Sequence, residues 1–157
     1  MNHVTARDFM VKKLVKLRPE MDVFDAVRLL LRNRISGAPV VDADGKHLGV
    51  FSEKCCMHVL LDAAYEGLPT NRVGSFMDAN AQTITPETQL LSIAQVFLLT
   101  SYRRLPVVDA GGKLVGQISR RDVLSAAMKA IDQQPAARER SLLYLSALVE
   151  RQDAPLA

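Results

Sequence analysis

Between residues 23 and 31 the apolar side chains fall at Val23, Ala26, Val27, Leu30 and Leu31, the spacing of one helical face. Asp22 stands before them as an N-cap, and the helix is predicted to run to about Asn33. Two short apolar runs follow, Pro39 to Val41 and Leu48 to Phe51, parted by Asp42-Ala43-Asp44-Gly45. Asp-Gly between apolar runs predicts a hairpin. A second helix is predicted from about Glu53 to Glu66, with Gly67 as its cap. Upstream, Phe9-Met10 predicts a turn of helix docked on the core, and Leu14 to Leu17 a short strand stopped by Pro19.

The series then recurs. Phe9-Met10 returns as Phe76-Met77, Pro19-Glu20 as Pro86-Glu87, and Pro39 to Ala43 as Pro106 to Ala110. Gly45-Lys46, Gly49 and Ser52 return as Gly112-Lys113, Gly116 and Ser119, always 67 positions on. Such a register marks a duplicated unit. The second helical face is Leu90, Ile93, Ala94, Phe97 and Leu98, the second turn is Gly111-Gly112, and a last helix is predicted from about Arg120 to Ile131. Residues 1–66 make the first copy, 67–72 a linker, 73–132 the second copy and 133–157 a tail. In that tail Leu142, Leu145, Leu148 and Val149 predict an amphipathic helix, which must bury its stripe on its own module or on another subunit. The fold class is α/β of the α+β kind, each copy reading strand, helix, strand, strand, helix. The copies part at one chemically telling position: Cys55 stands where the second has Asp122.

The residues Ile35-Ser36-Gly37-Ala38-Pro39-Val40-Val41-Asp42 and Gly49-Val50-Phe51-Ser52 carry a resemblance, as do Arg104 to Asp109 and Gly116 to Asp122. Together they resemble a tandem pair of cystathionine β-synthase (CBS) domains, the Bateman module, over residues 4 to about 130. The resemblance implies two β-α-β-β-α repeats packed with pseudo-two-fold symmetry. It also implies an adenine nucleotide or adenosyl ligand in the cleft between them. In that family the Ser/Thr and Asp of the last motif hold the ribose hydroxyls. Carried over, Ser119 and Asp122 hold the ribose, while Thr83-Ile84 and Leu105-Pro106 wall the adenine. Arg103, Arg104, Arg120 and Arg121 stand ready for phosphates, since a guanidinium meets phosphate in two-pronged fashion. The implied ligand is AMP, ADP or ATP, with S-adenosylmethionine and NAD as alternatives, and no obligatory cofactor.

Read from chemistry alone, Ser119 and Asp122 form a helix capping box. The same unpaired N–H groups and helix dipole attract an anion, so the structural and binding readings share one origin. In the first copy Ser52-Glu53-Lys54-Cys55 keeps the cap but lacks the carboxylate, and Glu53 opposes a phosphate there. One intact site is therefore expected, beside a degenerate cleft lined by Lys16, Ser36, Gly37, Ala38, Pro39, Ser52, Lys54 and Cys55.

Composition narrows the classes. The net charge of +3, from 20 basic and 17 acidic residues, is interspersed rather than gathered in the stripe a nucleic acid would need. No apolar run nears the ~20 residues that span a membrane. The opening MNHVTARDFM has no signal-peptide core, and adjacent Cys55 and Cys56 cannot make an ordinary disulfide, so a cytoplasmic protein is expected. Cys55 and His58 share a helix face, but two ligands do not complete a zinc site, and no metal is expected. Phosphate-loop, dinucleotide-fingerprint and nucleophile-elbow motifs are all absent, which argues against an enzyme. The expected protein is a homodimeric sensor acting through a separate effector protein. The rival is a ligand-free interaction scaffold of the same fold.

Overall fold

In the computed structural model, which describes residues 4–67 and 70–133 with Ala147 and Val149, Asp22 opens the first long helix. Its carboxylate accepts the backbone N–H groups of Phe24 and Asp25 at 2.8 and 3.2 Å, and these bonds hold its pKa below the usual aspartate value. Helix α2 then runs Val23–Asn33, after the single-turn helix α1, Ala6–Phe9. Arg34 ends α2 in the left-handed region, at φ 52°. Val23, Ala26 and Leu30 are buried as the periodicity predicts. Leu31 and its counterpart Leu98 are not: they stand 73% and 83% exposed. Each lies one residue, or about 100°, past the last buried position, beyond the edge of the core.

Strands β1 (Gly37–Val41) and β2 (His47–Ser52) form the first hairpin and lead into α3, Glu53–Tyr65. Asp42 Oδ1 holds the turn by accepting the N–H groups of Asp44 and Lys46, both at 2.9 Å, and Gly45 supplies the positive φ of 83°. The second copy repeats the plan through α4 (Val73–Phe76), α5 (Leu90–Leu99), β3 (Arg104–Val108), β4 (Leu114–Ser119) and α6 (Arg120–Asp132). Asp109 and Gly112 take the parts of Asp42 and Gly45. The strand predicted at Leu14 to Leu17 shrinks to one parallel bridge, Leu17 to Val40, matched by Ile84 to Val107. Only that residue pairs, because the chain turns at Pro19 and Pro86 directly afterwards. The predicted tail helix lies outside the described residues apart from Ala147 and Val149.

The two copies exchange their leading segments. Helix α1 lies on the second repeat: Ala6 is buried with Ile93, Leu105 and Ile118, and Val11 pairs with Gln117. Helix α4 lies on the first, with Val73 buried beside Leu17, Phe51 and Val59 and Asp78 paired to Val50. Gly49 and Gly116 make room for this. A Cβ on Gly49 would sit 2.6 Å from the Asp78 carbonyl oxygen, and one on Gly116 2.7 Å from Met10 Sδ. The hairpin turns also meet, His47 N–H donating to Gly112 and Leu114 N–H to Gly45 at 2.9 and 3.1 Å. These two bonds are equivalent under the repeat register and mark the pseudo-two-fold axis.

His47 stands at this junction with Nδ1 buried and without a hydrogen-bond partner among the described residues, where the other copy has Leu114. Burial lowers its pKa from 6.5, so the unfolded chain binds the proton more readily than the folded one. Stability is fully present above pH 6.5 and is expected to fall as the pH drops from there through the lower folded value. His47→Leu is expected to flatten that slope in urea melts run from pH 7.5 to about pH 5. An unchanged slope would remove His47 as its source.

Candidate functional site

Helix α6 begins where β4 ends, so Ser119 leaves the strand and caps the helix in one step. Its Oγ accepts the Asp122 N–H at 3.2 Å. Asp122 Oδ2 in turn accepts Ser119 N–H at 2.8 Å and Ser119 Oγ–H at 2.9 Å. The box fixes the carboxylate rotamer at a half-buried helix start and leaves Oδ1 without a protein hydrogen bond among the described residues. Arg120 and Arg121 flank it, and the Arg120 guanidinium donates to the Tyr102 carbonyl at 3.3 Å. The result is a fixed acceptor next to two cations, suited to a polyol that carries an anionic group.

The first repeat builds the same turn with neutral chemistry. Ser52 Oγ accepts the Cys55 N–H at 3.4 Å, and Cys55 Sγ lies 3.4 Å from that hydroxyl and 3.8 Å from the Val50 carbonyl. Cys55 is buried, 7% exposed, with its thiol turned onto Ser52 and the Val50 carbonyl. Cys56 is also buried, and burial, with lesser contributions from Cys55 and Glu53, pushes its thiol up to about 11. His58 is exposed, and no group of three or more potential metal ligands occurs among the described residues.

Two concavities flank these helix starts. The smaller, about 410 Å³, lies between the repeats and falls in the ~300–1,000 Å³ range of small-molecule sites. Its walls include Ser36, Gly37, Ala38, Pro39, Ser52 and Lys54 from the first copy, and Arg103, Arg104 and Pro106 from the second. The larger, about 1,050 Å³, is an open groove along α2 and α3 that reaches Ser119, Arg120 and Arg121. Ser36, Glu53, Arg103 and Arg104 belong to both. Lys16, Thr83, Ile84, Leu105 and Asp122 line neither one. The Leu105 side chain is fully enclosed in the core, while its neighbour Pro106 lines the cavity, because a strand turns successive residues to opposite faces. Sequence reasoning missed Tyr102, Gln117 and Asp78 on the cavity wall. Asp78 arrives there through the exchanged segment, which no local pattern announces.

A duplicated α+β unit with exchanged leading segments and a cavity between the copies defines a paired-repeat binding module. The CBS domain profile matches residues 6–62 and 73–129, and the chain belongs to the CBS domain family. It is 34% identical over 152 residues to the chloroplastic CBS domain-containing protein CBSX1 of Arabidopsis thaliana, covering 80% of this chain and 64% of that protein. The chain thus spans just under two thirds of that relative's length. The fold matches the crystal structure of CBSX2 in complex with AMP at a TM-score of 0.71 and 33% identity, covering 80% of this chain and 97% of that one. It also matches the cytosolic domain of the Mg²⁺ channel MgtE in complex with ATP at a TM-score of 0.64 and 28% identity, over 78% of this chain and 48% of that one. No described helix is long and apolar enough to cross a membrane.

Proposed function

We propose that this chain is a regulatory module that binds one adenine nucleotide or adenosyl ligand at the start of α6. The observation that carries the reading is the Asp122 carboxylate, held by Ser119 with Oδ1 unengaged, beside a run of arginines. In this reading Asp122 and Ser119 take the ribose hydroxyls, and Pro106 with the Thr83-Ile84 backbone bounds the base. Arg103, Arg104, Arg120 and Arg121 meet the phosphates. The AMP and ATP bound by the CBSX2 and MgtE structures support this ligand class. Cys55 gives the first copy no matching acceptor, so one site per chain is expected.

The output follows from shared walls. A phosphate drawn to Arg103 or Arg104 changes a residue that also borders the large groove, so ligand and groove are coupled whenever ligand binds the two arrangements unequally. Self-association is assigned to α5 and α6. Helix α5 carries no charged residue and packs on α6, and Leu98 and Leu99 on the one and Leu124 and Met128 on the other are exposed. An isologous contact through them sets apolar surface against its own copy. The free Cys55 and Cys56 fit a reducing compartment such as the cytoplasm.

Calorimetric titration of nucleotide-stripped protein with AMP, ADP, ATP, S-adenosylmethionine and NADH, beside sedimentation equilibrium, tests the reading. One ligand per chain and a dimer are expected. Saturation at two per chain would refute the degenerate first cleft. Absence of heat with all five would favour the scaffold reading, and a monomer would dismiss the α5–α6 contact.

A further inference from the structure

A strand turns successive side chains to opposite faces, and the two faces of the β3–β4 hairpin have unlike surroundings. On one, Leu105, Val107 and Ile118 are fully enclosed in the core of the second copy. The other carries Arg104, Pro106, Gln117 and Ser119, with Pro106 set opposite Gln117 and Arg104 opposite Ser119. Arg104, Pro106 and Gln117 line the cavity between the copies, while Arg104 and Ser119 border the groove beside it.

Gln117 is the one buried polar residue among the described residues. It is 9% exposed, and its side-chain amide has no hydrogen-bond partner among them. Its backbone is engaged, the N–H donating to the Val11 carbonyl and the carbonyl accepting the Val11 N–H. Any residue except proline would make those two bonds. The first copy has Val50 at this position, on the same cavity wall and with the same two-way backbone pairing, to Asp78. The fold therefore asks for nothing more than valine here, and a buried amide without a partner costs stability. Its place on the cavity wall supplies the missing reason for it.

We infer that Gln117 reads the base of the bound ligand, its carboxamide set against the amino-bearing edge of adenine. The amide holds an acceptor, Oε1, beside a donor, Nε2. Adenine holds its 6-amino donor beside a ring-nitrogen acceptor, and glutamine meets that pair with two hydrogen bonds. Ser119 follows Gln117 by two residues, about 7 Å along the strand. A ribose held at Ser119 and Asp122 thus leaves the base over Pro106 with its edge at Gln117. Val50 offers no such pair, so the base is turned toward the second copy. The inference rests on the ribose placement proposed above and adds to it a residue that sets base specificity.

The probes are AMP and ATP, each beside the analogue that lacks only the 6-amino group. A guanine nucleotide would be a poorer probe, because an amide can rotate to meet its inverted donor and acceptor. In calorimetric titrations of the nucleotide-stripped full chain, the amino form is expected to bind ~5- to 100-fold more tightly than its analogue. Gln117→Val is expected to weaken the amino form by a similar factor and to bind the two forms equally. Without nucleotide, the melting temperature of Gln117→Val is expected to hold or rise, since the variant carries the residue the other copy already uses. A fall beyond ~3 °C, the scale of one lost buried hydrogen bond, would make the amide a structural tie and overturn the inference. Equal binding of amino form and analogue by the wild type would also overturn it. If Asp122→Cys still abolished that binding, the ribose placement would stand without the base contact. No binding of AMP or ATP to the wild type would overturn both.

Discussion

Asp122→Cys is expected to abolish nucleotide stabilisation while leaving a folded protein. A ligand at 100 times its dissociation constant adds about 2.7 kcal/mol to the folded state. For a chain of 157 residues, at ~2–4 °C per kcal/mol, that is a melting rise of about 5–10 °C in wild type. The variant should show almost none of it. Cysteine is chosen because the fold already accepts it at this position of the other repeat, where Cys55 N–H reaches Ser52 Oγ. Without ligand, the loss of the carboxylate bonds to Ser119 should cost about 1 kcal/mol, as for other helix caps. A scanning thermal melt with AMP separates the two effects. If AMP raises both proteins equally, Asp122 does not hold the ligand.

The second large effect concerns Gly49. Its substitution by alanine would place Cβ 2.6 Å from the Asp78 carbonyl oxygen and 3.2 Å from Ala79 Cα, all of it backbone. That backbone is held by reciprocal bonds, Asp78 N–H to the Val50 carbonyl at 2.8 Å and Val50 N–H to the Asp78 carbonyl at 3.0 Å, and it can move only by breaking the exchanged pairing. The three atoms nearest a Cβ on Gly116 all belong to the Met10 side chain, and rotation can withdraw Sδ and Cγ, at 2.7 and 2.9 Å, though not Cβ at 3.0 Å. Urea denaturation should therefore show a loss near the upper end of the ~1–3 kcal/mol range for Gly49→Ala and near its lower end for Gly116→Ala. Met10→Ala should recover part of the Gly116→Ala loss. Equal losses at the two glycines would contradict the proposed difference between backbone and side-chain contact.

How far this was legible in the sequence depends on the kind of interaction. The starts of α2 and α6 are written locally, in Asp22 and in Ser119 with Asp122, because a cap satisfies its own first turn. The hairpins are equally local, carried by Asp42, Gly45, Asp109 and Gly112. The exchange of α1 and α4 is not local. Phe9-Met10 and Phe76-Met77 are the same pair, so either could pack on either repeat and the pattern is blind to the choice. The one sequence trace of it is a glycine inside each second strand, at Gly49 and Gly116, which announces a close neighbour without naming it. The expected face of α2 erred at Leu31 because periodicity counts apolar positions and cannot tell core from a waiting surface. Motif spacing likewise cannot tell the side chain of Leu105, which faces the core, from that of Pro106, which strand alternation turns to the cavity.

The exchange of leading segments also decides what can be cut from this protein or joined to it. Residues 4–11 serve the far repeat: Val11 is hydrogen-bonded to Gln117 in both directions, at 2.9 and 3.0 Å, and Gln117 sits in the strand that delivers Ser119. A fusion, a protease or a binding protein that grips the beginning of the chain therefore pulls on the ligand end of β4, about a hundred residues downstream. A half-length gene product would keep a hairpin whose outer edge has lost its neighbour and bare a strip of core. The pair, and not the repeat, is the smallest piece that can be inherited, transplanted or degraded as a unit.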